Sequence, residues 1–153
     1  MVLDAIIRLY NFNFNPFNTQ QVSTMYLLTE KEEILCKIIV ECAYQVHKRL
    51  GPGLLEKIYE ACFCYELSKR GIANKRQVSL PIKYEDMIFD QGLRIDVLVD
   101  DLIICEIKAV NEVNLVWQAQ VLSHLKLVHL HVGFLLNFNT SLMKHGTRRY
   151  CVE

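Results

Sequence analysis

The sequence predicts an α/β domain, and three observations carry that prediction. Apolar residues recur at helical spacing from about residue 30 to 70, alternate from about 77, and return to helical spacing over 114–127 before a last apolar strand. At 153 residues the chain suits one domain with one sizeable core. A composition that is 52% hydrophobic and 22% charged belongs to a folded globular chain and excludes a largely disordered one.

Residues 1–24 stand apart from this pattern. Tyr10 to Thr19 alternates asparagine with phenylalanine, carries no charge and has no helical period; Pro16 and the asparagines favour a loosely ordered leader. Met25 directly precedes the patterned region. The expectation is a leader over 1–24, with Met25 as the natural initiator, and a domain over 25–153.

The first helix opens on Thr29 and Glu32, spaced as a capping box: the threonine hydroxyl accepts from the backbone and the glutamate reaches back. Ile34, Leu35, Ile38, Ile39, Cys42, Ala43, Val46 and Leu50 then form one apolar stripe. Gly51-Pro52-Gly53 ends or bends it. A second helix over about 54–70 is expected to bury Leu55, Ile58, Tyr59, Cys62 and Leu67, and to stop at Lys69-Arg70-Gly71, with cations on the negative dipole end and glycine past the cap. Val78, Leu80, Ile82 and Tyr84 alternate as a strand over about 77–84. Strands over 92–99 and 102–110 flank the turn residues Asp100-Asp101. Val116, Ala119, Leu122 and Leu125 mark a helix, and 131–137 reads as a buried strand. No internal repeat is visible.

Charge and cysteine content narrow the function classes. Lys plus Arg and Asp plus Glu each number 17, so the formal net charge is zero. A strong non-specific nucleic-acid binder carries a basic excess, so any such contact here must come from a local patch. No apolar run approaches the roughly 18 residues of a membrane span, and no secretory signal opens the chain. Of the cysteines at 36, 42, 62, 64, 105 and 151, five lie inside apolar helical or strand patterns, which suits buried free thiols in a reducing cytoplasm.

The chemical anomaly is a set of charges on two apolar strands: Arg94-Ile-Asp96 and Glu106-Ile-Lys108. Glu106 and Lys108 are two apart and share a sheet face. Whether Asp96 joins them depends on the turn. A two-residue turn at 100–101 pairs Asp96 with Cys105 and leaves Glu106 on the other face. A three-residue turn at 100–102, of the type I plus bulge form, pairs Asp96 with Glu106, with Asp101 left-handed. A catalytic site requires the second. Two close carboxylates repel, and a hard divalent cation relieves them: Mg²⁺ (or Mn²⁺) takes oxygen ligands and keeps positions open for water and a substrate phosphate. Lys108 would then orient that water or neutralise charge developing on the phosphate. On spacing alone, Glu-x-Lys is equally well a structural ion pair.

At this point the sequence resembles a family. Gly53-Leu-Leu-Glu56-Lys-Ile-Tyr59 is similar to the signature of the GxxExxY proteins, a group in the PD-(D/E)XK nuclease superfamily. The resemblance runs from about 29 to 139. It includes His47-Lys-Arg-Leu-Gly-Pro-Gly53, Gln77 with Pro81-Ile82, Arg94-Ile-Asp96, Glu106-Ile-Lys108-Ala-Val110, Ala119-Gln120 and Asn137-Phe-Asn139. It implies a restriction-endonuclease-like αβββαβ core, a central mixed four-stranded sheet flanked by helices. It also implies Asp96 and Glu106 as metal ligands, Glu56 as a further acidic residue near the metal, and Lys108 as the catalytic lysine. Gln120 matches a glutamine of RecB-type nucleases in which a tyrosine follows four residues on; here that place holds His124. Ile95 stands where the superfamily name has proline.

Other features point nowhere in particular. Cys62 and Cys64 are two apart on a helix and diverge around its axis, no C-x₂-C pair exists, and His129-x-His131 lacks a third ligand. Lys75-Arg76 and Arg148-Arg149 are small basic pairs of ordinary surface type. The expected function is a Mg²⁺-dependent nuclease acting on DNA or RNA, with a homodimer or protein partner supplying grip on a duplex. The alternative is a non-catalytic nucleic-acid- or protein-binding module that keeps the nuclease fold.

Overall fold

The computed structural model describes residues 26–153, so the leader expected over 1–24 lies outside the described residues. Helix α1 (Glu30–Leu50) starts as its capping box requires. Thr29 Oγ1 accepts from Glu32 N–H (3.2 Å), while Glu32 Oε2 accepts from Thr29 N–H (2.8 Å) and the Tyr26 hydroxyl (3.0 Å). Leu35, Ile39, Cys42, Ala43 and Val46 form its buried stripe, with Ile34 and Leu50 on the exposed margins. Gly51, at φ 66°, ends it in a conformation that favours glycine.

Helix α2 (Glu56–Lys69) buries Tyr59 and Leu67 and packs Cys62 against the core, as the apolar spacing suggests, but its inward face is rotated toward Phe63 and Cys64 and away from Leu55 and Ile58. Tyr59, Phe63, Cys64 and Leu67 are buried, while Leu55 and Ile58 are exposed. The Gly51–Gly53 loop sets this rotation. The Tyr59 hydroxyl donates to Gly51 O (2.6 Å) and accepts from Leu54 N–H (3.0 Å), which fixes Tyr59 inward.

Among the described residues, five strands form one mixed sheet in sequential order: β1 (Asn74–Tyr84), β2 (Met87–Val99), β3 (Ile103–Lys108), β4 (Val132–Asn137) and β5 (Thr147–Cys151). Pairing is antiparallel except between β3 and β4, which run parallel across helix α3 (Leu115–Val128). The sheet therefore has one strand more than expected. β5 follows the short helix α4 (Met143–Gly146), and its Arg148-Arg149 pair breaks the apolar alternation that reveals a strand. The outer edges are β1, where the register shifts around Pro81, and the five-residue β5.

Helices α1 and α2 cover one face of the sheet, packing on Val97, Val99, Ile103, Cys105, Phe134 and Leu136. Helix α3 covers the other, where Val121 and Leu125 meet Leu93, Ile95, Ile104 and Leu135. All six cysteines are free thiols; burial pushes Cys42 and Cys64 up to about 11, which keeps them protonated and unreactive. Among the described residues, no helix is long and apolar enough to cross a membrane.

Val99 pairs with Ile103, so the β2–β3 connection has the three residues 100–102 that a joined site requires. Asp101 is left-handed (φ 54°), as expected, but so is Asp100 (φ 50°), and Leu102 N–H donates to Val99 O (3.0 Å). The turn thus has the two left-handed residues of a type I′ turn, followed by one extra residue, and not the type I form. Two left-handed residues match the right-handed twist of the strands. Local partners hold them: Asp100 N–H donates to Ala73 O (2.8 Å), and the two carboxylates pair with Lys31 and Lys75 (both 2.6 Å).

Candidate active site

The β2–β3 ladder ends at Val97 and Cys105, whereas β3 stays paired with β4 through Lys108 and Asn137. β2 therefore leaves β3 at Asp96, and the sheet forks there. The register, continued one step, sets Asp96 opposite Glu106. At this rung a side chain stands in for the strand: Ile107 N–H donates to Asp96 Oδ2 (2.9 Å). On β3, alternation turns Ile104, Glu106 and Lys108 toward α3. His124 of α3 donates through Nδ1 to Glu106 Oε1 (2.9 Å). The Lys108 ammonium lies 5.5 Å from the centre of the Trp117 ring, a cation–π contact.

Glu106 is 1% exposed and Asp96 is half-buried. Burial, and then the charge of Glu106, push the Asp96 carboxyl above the usual carboxylate range; the Ile107 N–H and the Lys108 charge oppose this without cancelling it. The site is thus two carboxylates held close together, with a cationic side chain beside them. Each carboxylate has one oxygen engaged, Asp96 Oδ2 by Ile107 and Glu106 Oε1 by His124, which leaves Asp96 Oδ1 and Glu106 Oε2 to serve as hard donors. That donor set fits a magnesium-type ion, which is commonly held by one or two carboxylates and completed by water and substrate phosphate. Among the described residues, no three His, Cys, Asp or Glu side chains are grouped to hold a metal ion. Glu56, exposed at the first residue of α2 in the layer opposite α3, is accordingly not gathered with Asp96 and Glu106.

Gln120 is half-buried on α3, four residues before His124 and so on the same side of the helix. Sequence reasoning named the place of His124 but not its bond to Glu106, which spans 18 residues and has no local signal. It also missed Trp117 as the neighbour of Lys108. His131, considered with His129 as a ligand pair, donates through Nδ1 to Val152 O (3.1 Å) and stacks on Tyr26.

The remaining motif residues build the frame around the fork. Asn137 Oδ1 accepts from Val110 N–H (3.1 Å) and its Nδ2 donates to Val110 O (2.9 Å), fastening the chain that leaves β3 to the end of β4. Phe138 N–H donates to Lys108 O (2.8 Å), and its ring stacks on Tyr59 (centroids 4.7 Å apart, 7° between planes). His47 donates through Nε2 to Thr140 O (2.7 Å). Together these contacts pin the start of α2 beside the Lys108 end of β3.

A family model described as the PD-(D/E)XK nuclease superfamily matches residues 33–150. The match is to the superfamily; the narrower GxxExxY group rests on the sequence motif alone. No curated protein and no solved structure matches the chain.

Proposed function

The chain belongs to the PD-(D/E)XK nuclease superfamily, and from that premise we propose that it is a divalent-cation-dependent phosphodiesterase acting on DNA or RNA. The observation that carries this reading is the pair Asp96 and Glu106 at the fork, facing Lys108. Asp96 Oδ1 and Glu106 Oε2 would hold Mg²⁺ or Mn²⁺. When bound, such a cation polarises the phosphodiester and lowers the pKa of its water. His124 keeps Glu106 oriented while its second oxygen binds. Lys108, steadied against Trp117, supplies positive charge to the phosphate as water adds to phosphorus and a P–O ester bond breaks. Gln120, on the same side of α3 as His124, contacts substrate or the attacking water. Glu56, exposed at the start of α2, would add negative charge near the Lys108 end of β3 without being one of the cation's direct ligands.

The zero net charge favours a second reading, a binding module that retains the fold without catalysis. In the catalytic reading, a second copy or a protein partner supplies the missing grip on a duplex. Calorimetric titration of Mn²⁺ into the protein, alone and with a short oligonucleotide, separates the two readings. Saturable binding that disappears in the Asp96→Ala, Glu106→Ala double variant, followed by metal-dependent cleavage, is the expected result. If neither metal alone nor metal with oligonucleotide binds, the nuclease reading is wrong and the binding module stands.

A further inference from the structure

Gln77 lies directly across the β1–β2 ladder from Asp96, between the pairs Arg76 with Val97 and Val78 with Ile95. Its φ is 50°, a left-handed conformation that side chains other than glycine and asparagine rarely adopt. At this rung both strands change faces. On β2, Leu93 and Ile95 pack beneath α3, yet Val97 and Val99 pack beneath α1 and α2, although an uninterrupted strand would keep all four on one face. On β1, Val78 and Leu80 lie on the α3 side, whereas Arg76 reaches α2. The register is the same before and after the rung, so both strands cross together.

Glu60, 5% exposed on α2, grips the crossing point. Its Oε1 accepts from Arg76 Nε (2.7 Å) and its Oε2 from Gln77 Nε2 (2.6 Å). Successive residues of a regular strand point to opposite faces and cannot both reach one carboxylate; the left-handed turn at Gln77 allows it. Across the rung, Ile95 and Asp96 both lie toward α3, where an uninterrupted strand would turn neighbours to opposite faces, and the Asp96 carboxylate there accepts from Ile107 N–H and faces Glu106.

We propose that Gln77, gripped by Glu60, is a positioning residue for Asp96: the clamp crosses both strands at one rung and so aims the Asp96 carboxylate into the fork. Only its effect on metal affinity rests on the function proposed above; the aim of the carboxylate does not.

The test compares wild type with Gln77→Gly and, separately, Glu60→Ala. Readouts are residue-resolved amide hydrogen exchange in metal-free protein and calorimetric titration with Mn²⁺. Glycine takes the left-handed backbone freely, so Gln77→Gly should keep the melting midpoint while removing the grip. Ile107 amide exchange should quicken at least about 10-fold in both variants while Cys105 and Leu136 hold, and Mn²⁺ affinity should fall by about 10- to 100-fold, the range for groups that orient metal ligands. Ile107 exchange within twofold of wild type in both variants would overturn the proposal. So would a uniform rise over all β3 and β4 amides, which would make the clamp a support of the whole sheet. If wild type takes no Mn²⁺ but the local Ile107 effect appears, the positioning role stands and the metal-dependent function falls.

Discussion

Replacing His124 by alanine tests how the site is held, and its cost can be worked from the contacts. His124 and Glu106 are both buried, and Nδ1–H to Oε1 is a 2.9 Å hydrogen bond to a carboxylate. Bonds to charged groups contribute roughly 1.5–3 kcal/mol. Removing the ring also empties buried volume under α3, about 1–2 kcal/mol more on the scale of core truncations. The metal-free His124→Ala protein should therefore lose about 2.5–5 kcal/mol, read from urea unfolding midpoints at constant m. His124→Asn places an amide N–H near the position of Nδ1, so it should restore most of the hydrogen-bond share and leave only the packing loss. Because His124 orients Glu106 as a ligand, Mn²⁺ at a fixed concentration should stabilise the alanine variant by less than it stabilises wild type. Equal losses for alanine and asparagine would refute the reasoning, because the bond itself would then contribute nothing.

Three further outcomes follow from the same geometry. Asp96→Asn should raise the metal-free melting midpoint at pH 7–8. A carboxyl whose pKa is raised on folding costs stability above its folded pKa and costs nothing below its unfolded pKa, so the gain should close as pH falls toward about 4; a variant less stable than wild type at pH 8 would contradict the sign. Tyr59→Phe keeps the stack on Phe138 but deprives Gly51 O and Leu54 N–H of their partner, for a loss of about 1–3 kcal/mol in chemical denaturation. Gly146→Ala would drive a methyl into the backbone carbonyl of Asn137, which flexible side chains cannot relieve; a loss of about 3 kcal/mol or more and faster exchange at the Val110 amide are expected.

What could be read from the sequence was what short-range chemistry dictates. The Thr29–Glu32 box, the helix it starts and the strands before and after the turn follow from spacing, and so does the three-residue turn once Asp96 must meet Glu106. The inward face of α2 was legible at Tyr59, Cys62 and Leu67 but not at Leu55 and Ile58, which extend the apolar count, whereas the Tyr59 hydroxyl, reaching back to Gly51, decides the rotation. β5 was invisible because Arg148 and Arg149 occupy positions on both faces of an edge strand. The crossing at Gln77 and Asp96 was hidden more deeply. Leu93, Ile95, Val97 and Val99 alternate without interruption in sequence, and only their packing partners reveal that the strand has changed sides. His124 and Trp117 met Glu106 and Lys108 through the α3 crossover, a juxtaposition set by topology and not by any local pattern.

The two outer strands of the sheet constrain how this protein can meet other molecules. β1 exposes Lys75 and Lys83 and carries Pro81, which has no N–H to offer, at a break in register; β5 is five residues long with two arginines in its middle. Charges, proline and brevity are the features that stop a border strand from recruiting another. Among the described residues, both edges thus carry features that oppose strand-to-strand association through the backbone. A companion chain seeking purchase here has to grip side chains, because neither margin offers it a clean seam to extend.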